Sequence, residues 1–230
     1  MNRIGTLGEK SLHADLKDWY AKHDDGIEVV VDGYHIDLVR DSELIEIQTA
    51  NFYAIKTKLS KLLADHRVRL IYPIARERWI VRVDKAGHQL KRRKSPKRGK
   101  LEDLFDELVS IPTLVTQPNL VIEVLLIQDE LVWMNDGKGS WRRKGWSVAD
   151  RRLLSVLESR TMVWPNSYQR YVPSSVSGGF TNRDLAKSMG ARVTAARKIT
   201  YCLSRMGIIS CIGHRDRYKV YSLNEIPDRL

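Results

Sequence analysis

Apolar and polar positions alternate along the chain in two registers, and the changes of register mark its elements. Between residues 8 and 20, Leu12, Leu16, Trp19 and Tyr20 recur at helical spacing, which predicts an amphipathic helix with those four inward. Period-two alternation then takes over. Ile27-Glu28-Val29-Val30-Val31, Tyr34-His35-Ile36-Asp37-Leu38-Val39-Arg40 and Glu43-Leu44-Ile45-Glu46-Ile47-Gln48 read as strands joined by the turns Asp32-Gly33 and Asp41-Ser42. Helical spacing returns at 51–65, with Phe52, Ile55, Leu59, Leu62 and Leu63 on one face. Residues 68–74 and 78–83 predict two further strands, 91–100 an exposed basic loop and 101–109 a helix. Residues 120–127 and 130–134 predict the two arms of a buried hairpin.

The glycines of 136–146 read as a linker. Beyond it, Ser147-Val148-Ala149-Asp150 fits a capping box ahead of Arg151-Arg152-Leu153-Leu154-Ser155-Val156-Leu157 and predicts a helix. Thr181-Asn182-Arg183-Asp184 is a second capping box, opening a short helix that stops at Gly190. From Val193 to Met206 the chain splits into two faces. Val193, Ala196, Ile199, Thr200, Leu203 and Met206 form the inner stripe, and Thr194, Arg197, Lys198, Tyr201 and Arg205 the outer one. Gly207 ends that helix, and 208–212 with 218–223 form a hairpin around the basic tip Gly213-His214-Arg215-Asp216-Arg217. Two domains follow, 1–135 and 145–230.

Charge sharpens this division. The 230 residues carry a net of +11. Residues 1–137 hold 21 Lys and Arg against 22 Asp and Glu, whereas 138–230 hold 18 against 6, a net of +12. Such asymmetry points to a polyanionic partner, because cations that neutralise phosphates release condensed counterions. No apolar run approaches the roughly 20 residues of a membrane helix, and the first residues read as a turn entering a helix, not as an export signal. Cys202 and Cys211 match no metal-ligand spacing and are expected to serve in packing. The expected compartment is the cytoplasm.

In their order of helix, helix, turn, helix and hairpin, residues 147–223 resemble a winged helix-turn-helix. The resemblance implies DNA binding with the second helix of the motif in the major groove. Thr194, Arg197, Lys198 and Tyr201 would face bases and phosphates, with Arg215 and Arg217 on the wing.

The neutral half carries candidate chemistry. A two-residue loop at Asp41-Ser42 pairs Arg40 with Glu43 and sets Asp37 directly opposite Glu46, their Cβ atoms about 5 Å apart. His35 and Gln48 share that face. Opposed like charges are destabilising, and a divalent cation between them removes that cost. Helix, strands, helix and strand, with Asp37 and Glu46-x-Gln48 on paired strands, resemble the PD-(D/E)XK nuclease fold over roughly residues 5–85. The resemblance implies Mg²⁺, with Mn²⁺ as substitute, held by Asp37 and Glu46 to activate water. Glu9 would match the acid that some members supply from the first helix, although Thr6-x-x-Glu9 is itself a capping box. Gln48 stands where the family usually has Lys, and Lys56 or Lys58 would supply the positive charge. The expected whole is an α/β nuclease-like mixed sheet with flanking helices, followed by a winged helix domain. It would act as a Mg²⁺-dependent DNA endonuclease, working as a homodimer where both strands are cut. The alternative is a non-catalytic DNA-binding regulator whose first domain keeps the nuclease shape.

Overall fold

The computed structural model describes residues 11–139, 145–173 and 178–225. It is a mixed α/β protein with a mixed sheet and flanking helices. Two compact units form, and they interleave along the chain instead of following one another across 136–146. The first gathers Met1–Thr49, Ile71–Leu101 and Glu123–Arg160; the second gathers Ala50–Leu70, Glu102–Ile122 and Thr161–Leu230. No helix among the described residues is long and apolar enough to cross a membrane.

In the first unit, α1 (Ser11–Tyr20) precedes β1 (Gly26–Val31), β2 (Tyr34–Arg40) and β3 (Glu43–Ile47). Both predicted turns form. Asp32 and Gly33 take positive φ, as does Asp41, so each pair of strands closes with two residues between Val31↔Tyr34 and between Arg40↔Glu43. Leu12 and Leu16 of α1 pack with Leu38, Ile45, Ile47, Ile71, Leu125 and Ile127. Trp19 departs from the expectation: it is half exposed, while the stem of Lys17 is buried and its Nζ lies 2.5 Å from Glu28 Oε1.

The sheet runs β1-β2-β3-β4-β6-β7, with β5 paired to β4. Four elements differ from those the sequence predicts. β4 (Arg67–Val83) is one strand, not two. The basic segment 91–100, expected as a loop, begins inside β5 (Gln89–Lys94), a strand exposed at every position. β6 (Leu120–Asn135) is a single strand, because Gln128-Asp129-Glu130 is no turn. Asp129 is fully buried, binding Arg78 in bidentate fashion at 2.6 and 2.8 Å and Arg151 Nε at 2.6 Å. Finally, the helix expected from Arg151 is β7 (Trp146–Met162). Its apolar positions fit helical spacing, yet pairing with β6 prevails over local periodicity, and Leu153 donates its N–H to Asp15 on α1 at 2.9 Å.

The second unit joins α2 (Phe52–Leu62) and α3 (Phe105–Leu108) to α4 (Asn166–Gln169), α5 (Asn182–Ser188), α6 (Val193–Arg205) and the hairpin β8 (Ile209–Arg215)–β9 (Tyr218–Leu223). Phe105 meets the edges of Tyr168 and Tyr171, its centroid 6.4 and 4.9 Å from theirs. Burial pushes the Tyr168 phenol strongly upward, and so keeps it neutral. The 105 helix therefore packs with the C-terminal helices, which accounts for the interleaving.

Candidate nucleic-acid interface

The helical pair of the second unit is built from end signals. Thr181 caps α5, accepting from the Arg183 and Asp184 N–H groups while Asp184 accepts from the Thr181 N–H, the predicted capping box. Both helices close in the same way. Gly190 and Gly207 sit at positive φ, and the N–H two places past each C-cap returns to the helix, Ala191 to Ala186 and Ile208 to Leu203, each at 2.9 Å. Phe180 and Tyr221 exchange both backbone bonds at 2.8 Å, which ties the start of α5 to the hairpin.

α6 divides its faces as its sequence requires. Ala196, Ile199, Thr200, Leu203 and Met206 are buried, while Thr194, Arg197, Lys198, Tyr201 and Arg205 are exposed. The six candidate DNA contacts then separate by their partners. Arg197 and Tyr201 line a groove of about 640 Å³ between α6 and the hairpin, across from Lys219 and Tyr221. Among the described residues Arg197 has no carboxylate partner. Lys198, in contrast, pairs with Asp106 at 2.8 Å, and Arg215 with Asp184 at 3.5 Å. Arg217 donates to its neighbour's phenol, Tyr218 Oη, at 3.0 Å. Thr194 is exposed in the first turn. Lys219 and the Arg183 guanidinium, stacked 4.3 Å from the Tyr218 ring, are cations that the sequence reading passed over. Period-two alternation in β9 was the available signal for Lys219. Of the two cysteines, Cys202 is buried as expected, its thiol pushed up to about 12, but Cys211 is exposed on β8 and does not pack.

The acidic candidates lie in the first unit. The observed register, Leu38↔Ile45 and Arg40↔Glu43, is the one the turn predicts, and its continuation sets Asp37 across from Glu46. Glu46 is buried. Asp37 Oδ2 accepts from the Ile47 N–H at 2.8 Å and lies 3.2 Å from His13 Nε2. Part of the predicted repulsion is thus met by hydrogen bonds and a histidine. Gln48 follows β3 and donates its N–H to Ile71 O at 2.9 Å. Lys56 is exposed and Lys58 half-buried on α2, which belongs to the second unit. Glu9 lies outside the described residues. No group of three or more His, Cys, Asp or Glu side chains able to hold a metal forms among the described residues.

Comparison with known proteins adds a lineage. A protein of Treponema pallidum (strain Nichols), named only as an uncharacterized protein, is 30% identical over 219 residues, covering 95% of this chain and 86% of its own length. No solved structure matches. A family model, the domain of unknown function DUF8091, matches residues 10–163, from the start of α1 to the end of β7. The chain belongs to the DUF8091 family.

Proposed function

We propose that the chain binds duplex DNA through α6 and the β8–β9 hairpin, in the manner of a winged helix-turn-helix. The observation that carries this reading is the exposed Arg197–Tyr201 stripe facing a groove with Lys219 on its far wall. A 13-residue helix is about 20 Å long, and a major groove about 12 Å wide admits it. Arg197 would reach a guanine edge or a phosphate, and Tyr201 would add apolar contact and a hydroxyl. Arg183, Arg217 and Lys219 would take backbone phosphates. Fluorescence anisotropy of the full chain on a short duplex tests this. Arg197→Ala with Tyr201→Ala should weaken binding at least about tenfold, one good base contact being worth about 1–3 kcal/mol.

A second reading, metal-dependent phosphodiester cleavage by a PD-(D/E)XK-like first unit, rests on the β2–β3 register. The donors suit Mg²⁺, which takes one or two carboxylates and completes its shell with water and phosphate oxygens. Asp37 and Glu46 would hold it, and Gln48 would orient a water. When bound, Mg²⁺ supplies an activated water and charge opposite the scissile phosphate. Plasmid cleavage in Mg²⁺ or Mn²⁺ that is lost in Glu46→Gln would support this reading. No cleavage by wild type in either metal would leave a DNA-binding regulator.

A further inference from the structure

Division of the chain at 137 conceals where its cations are densest. Ile71–Leu101 holds eleven Lys and Arg against two Asp and Glu, a net of +9. The whole second unit holds sixteen against nine, a net of +7. The block of +9 is largely the antiparallel β4–β5 ribbon, whose register is Trp79↔Lys94, Ile80↔Arg93, Val81↔Arg92 and Arg82↔Lys91.

The ribbon's two faces treat their charges differently. On one, Arg92 and Lys94 flank the Trp79 ring at 4.1 and 5.9 Å. Each also has a carboxylate, Arg92 with Glu130 at 3.0 Å and Lys94 with Glu77 at 2.7 Å. Lys94 holds the Glu77 carboxyl below its ordinary range. That face is neutralised from within. On the other, Arg82, Lys91 and Arg93 surround a hollow of about 130 Å³ floored by Ile80. Arg82 is stacked 4.9 Å from the Trp146 ring, which leaves its charge intact. No carboxylate among the described residues pairs with any of the three. Arg82 and Lys91 are direct cross-strand partners, an arrangement that destabilises a ribbon unless an anion lies between them. Arg presents a fork of donors and Lys a point charge, a combination suited to phosphate oxygens.

We infer that the Arg82–Lys91–Arg93 face of the β4–β5 ribbon is a second DNA-backbone site, separate from α6, that takes phosphodiester groups without reading sequence. It extends the DNA-binding reading given above, and its test separates the two. The most direct variant is Lys91→Glu in the full chain. Placed opposite Arg82, the new carboxylate converts a repulsive pair into an attractive one, so the melting temperature should hold or rise. Affinity for a short duplex should fall about tenfold or more, and log Kd should vary less steeply with log salt by about 2, since one cation is lost and a second is occupied at about 0.9 per phosphate. Arg92→Gln with Lys94→Gln, on the neutralised face, should change affinity less than about twofold. Unchanged affinity in Lys91→Glu overturns the site. A loss in Lys91→Glu with no loss in Arg197→Ala/Tyr201→Ala upholds the ribbon and removes the α6 reading. A loss seen with a single-stranded RNA of the same length but not with duplex DNA overturns the assignment to DNA.

Discussion

Across β4, β6 and β7, Arg78 and Arg151 converge on the buried carboxylate of Asp129, and burial holds the Arg151 guanidinium below its ordinary value. Around α1 and β2, Arg40 closes on Asp25, and Lys17 on Glu28. On α6, Arg197 meets no carboxylate among the described residues and faces an open groove. Cations of the first kind secure a fold, since they are matched inside the chain; those of the second kind are the ones through which the proposed DNA binding would act. Net charge alone does not distinguish them, and the count of 18 against 6 beyond residue 137 mixes both. Arg151 and Arg152 of β7 belong to the matched set.

Removing the acid from the matched set gives the largest expected effect. Asp129→Ala leaves two arginines facing each other beside a void and should cost about 3 kcal/mol of stability, as broken buried pairs do. Chemical denaturation measures it, and a loss below about 1 kcal/mol would mean that the triad is solvated and that the contrast is false. Next in size, Arg197→Ala with Tyr201→Ala should leave stability within about 0.5 kcal/mol, as surface substitutions do, while weakening DNA binding. Equal losses of both would place those residues in the first category.

The sequence makes several elements of the fold legible but not this contrast, and the reasons are physical. The β1–β3 meander and the α5–α6 pair were readable because their ends are marked by local chemistry: Asp32-Gly33, Asp41-Ser42, Thr181 with Asp184, Gly190 and Gly207. In sequence β6 divides in two because a polar Gln-Asp-Glu run ordinarily marks a turn. Only the neighbouring strands show that Asp129 is inward, and its partners lie 51 and 22 residues away. β7 carries a helical signal because Leu153, Leu154, Val156 and Leu157 satisfy i, i+3 and i, i+4 spacing as well as a strand's needs. For Asp37 the hairpin register is legible, but not its partners: His13 comes from α1, an element placed by tertiary packing, and nothing in an alternating pattern tells that a carboxylate turns to the Ile47 N–H of the neighbouring strand. The opposed-charge argument alone would make removal of Asp37 stabilising. With those bonds present, Asp37→Ala should instead cost about 1 kcal/mol.

Smaller effects sharpen the contrast further. Thr181→Ala should cost about 1 kcal/mol by removing the α5 cap. Its partner Asp184 is held below the ordinary carboxylate range, chiefly by the Thr181 N–H. A depressed folded value means that the stabilisation is present above the unfolded value, about pH 4, and is lost as pH falls through the folded value. Melting curves of wild type and Asp184→Asn should therefore differ at pH 7 and converge toward pH 3. Asp15 is the opposite case, raised mainly by burial. Asp15→Asn keeps an acceptor for the Leu153 N–H and discards a poorly solvated charge. Stability at pH 7 should not fall, and any advantage over wild type should shrink as acid protonates the native carboxyl. A marked loss at pH 7 would show that the charge itself is needed.

The salt dependence of binding decides whether α6 takes DNA through its unmatched Arg197. The wild-type chain and Arg197→Ala/Tyr201→Ala are titrated against one short duplex from about 50 to 200 mM salt, where several phosphate contacts cost orders of magnitude in affinity. Wild type should weaken steeply with salt, and the variant should show a weaker Kd at every salt and a slope smaller by up to about 1. Wild-type binding that is flat with salt, or a variant curve superimposed on that of wild type, would contradict DNA binding through α6.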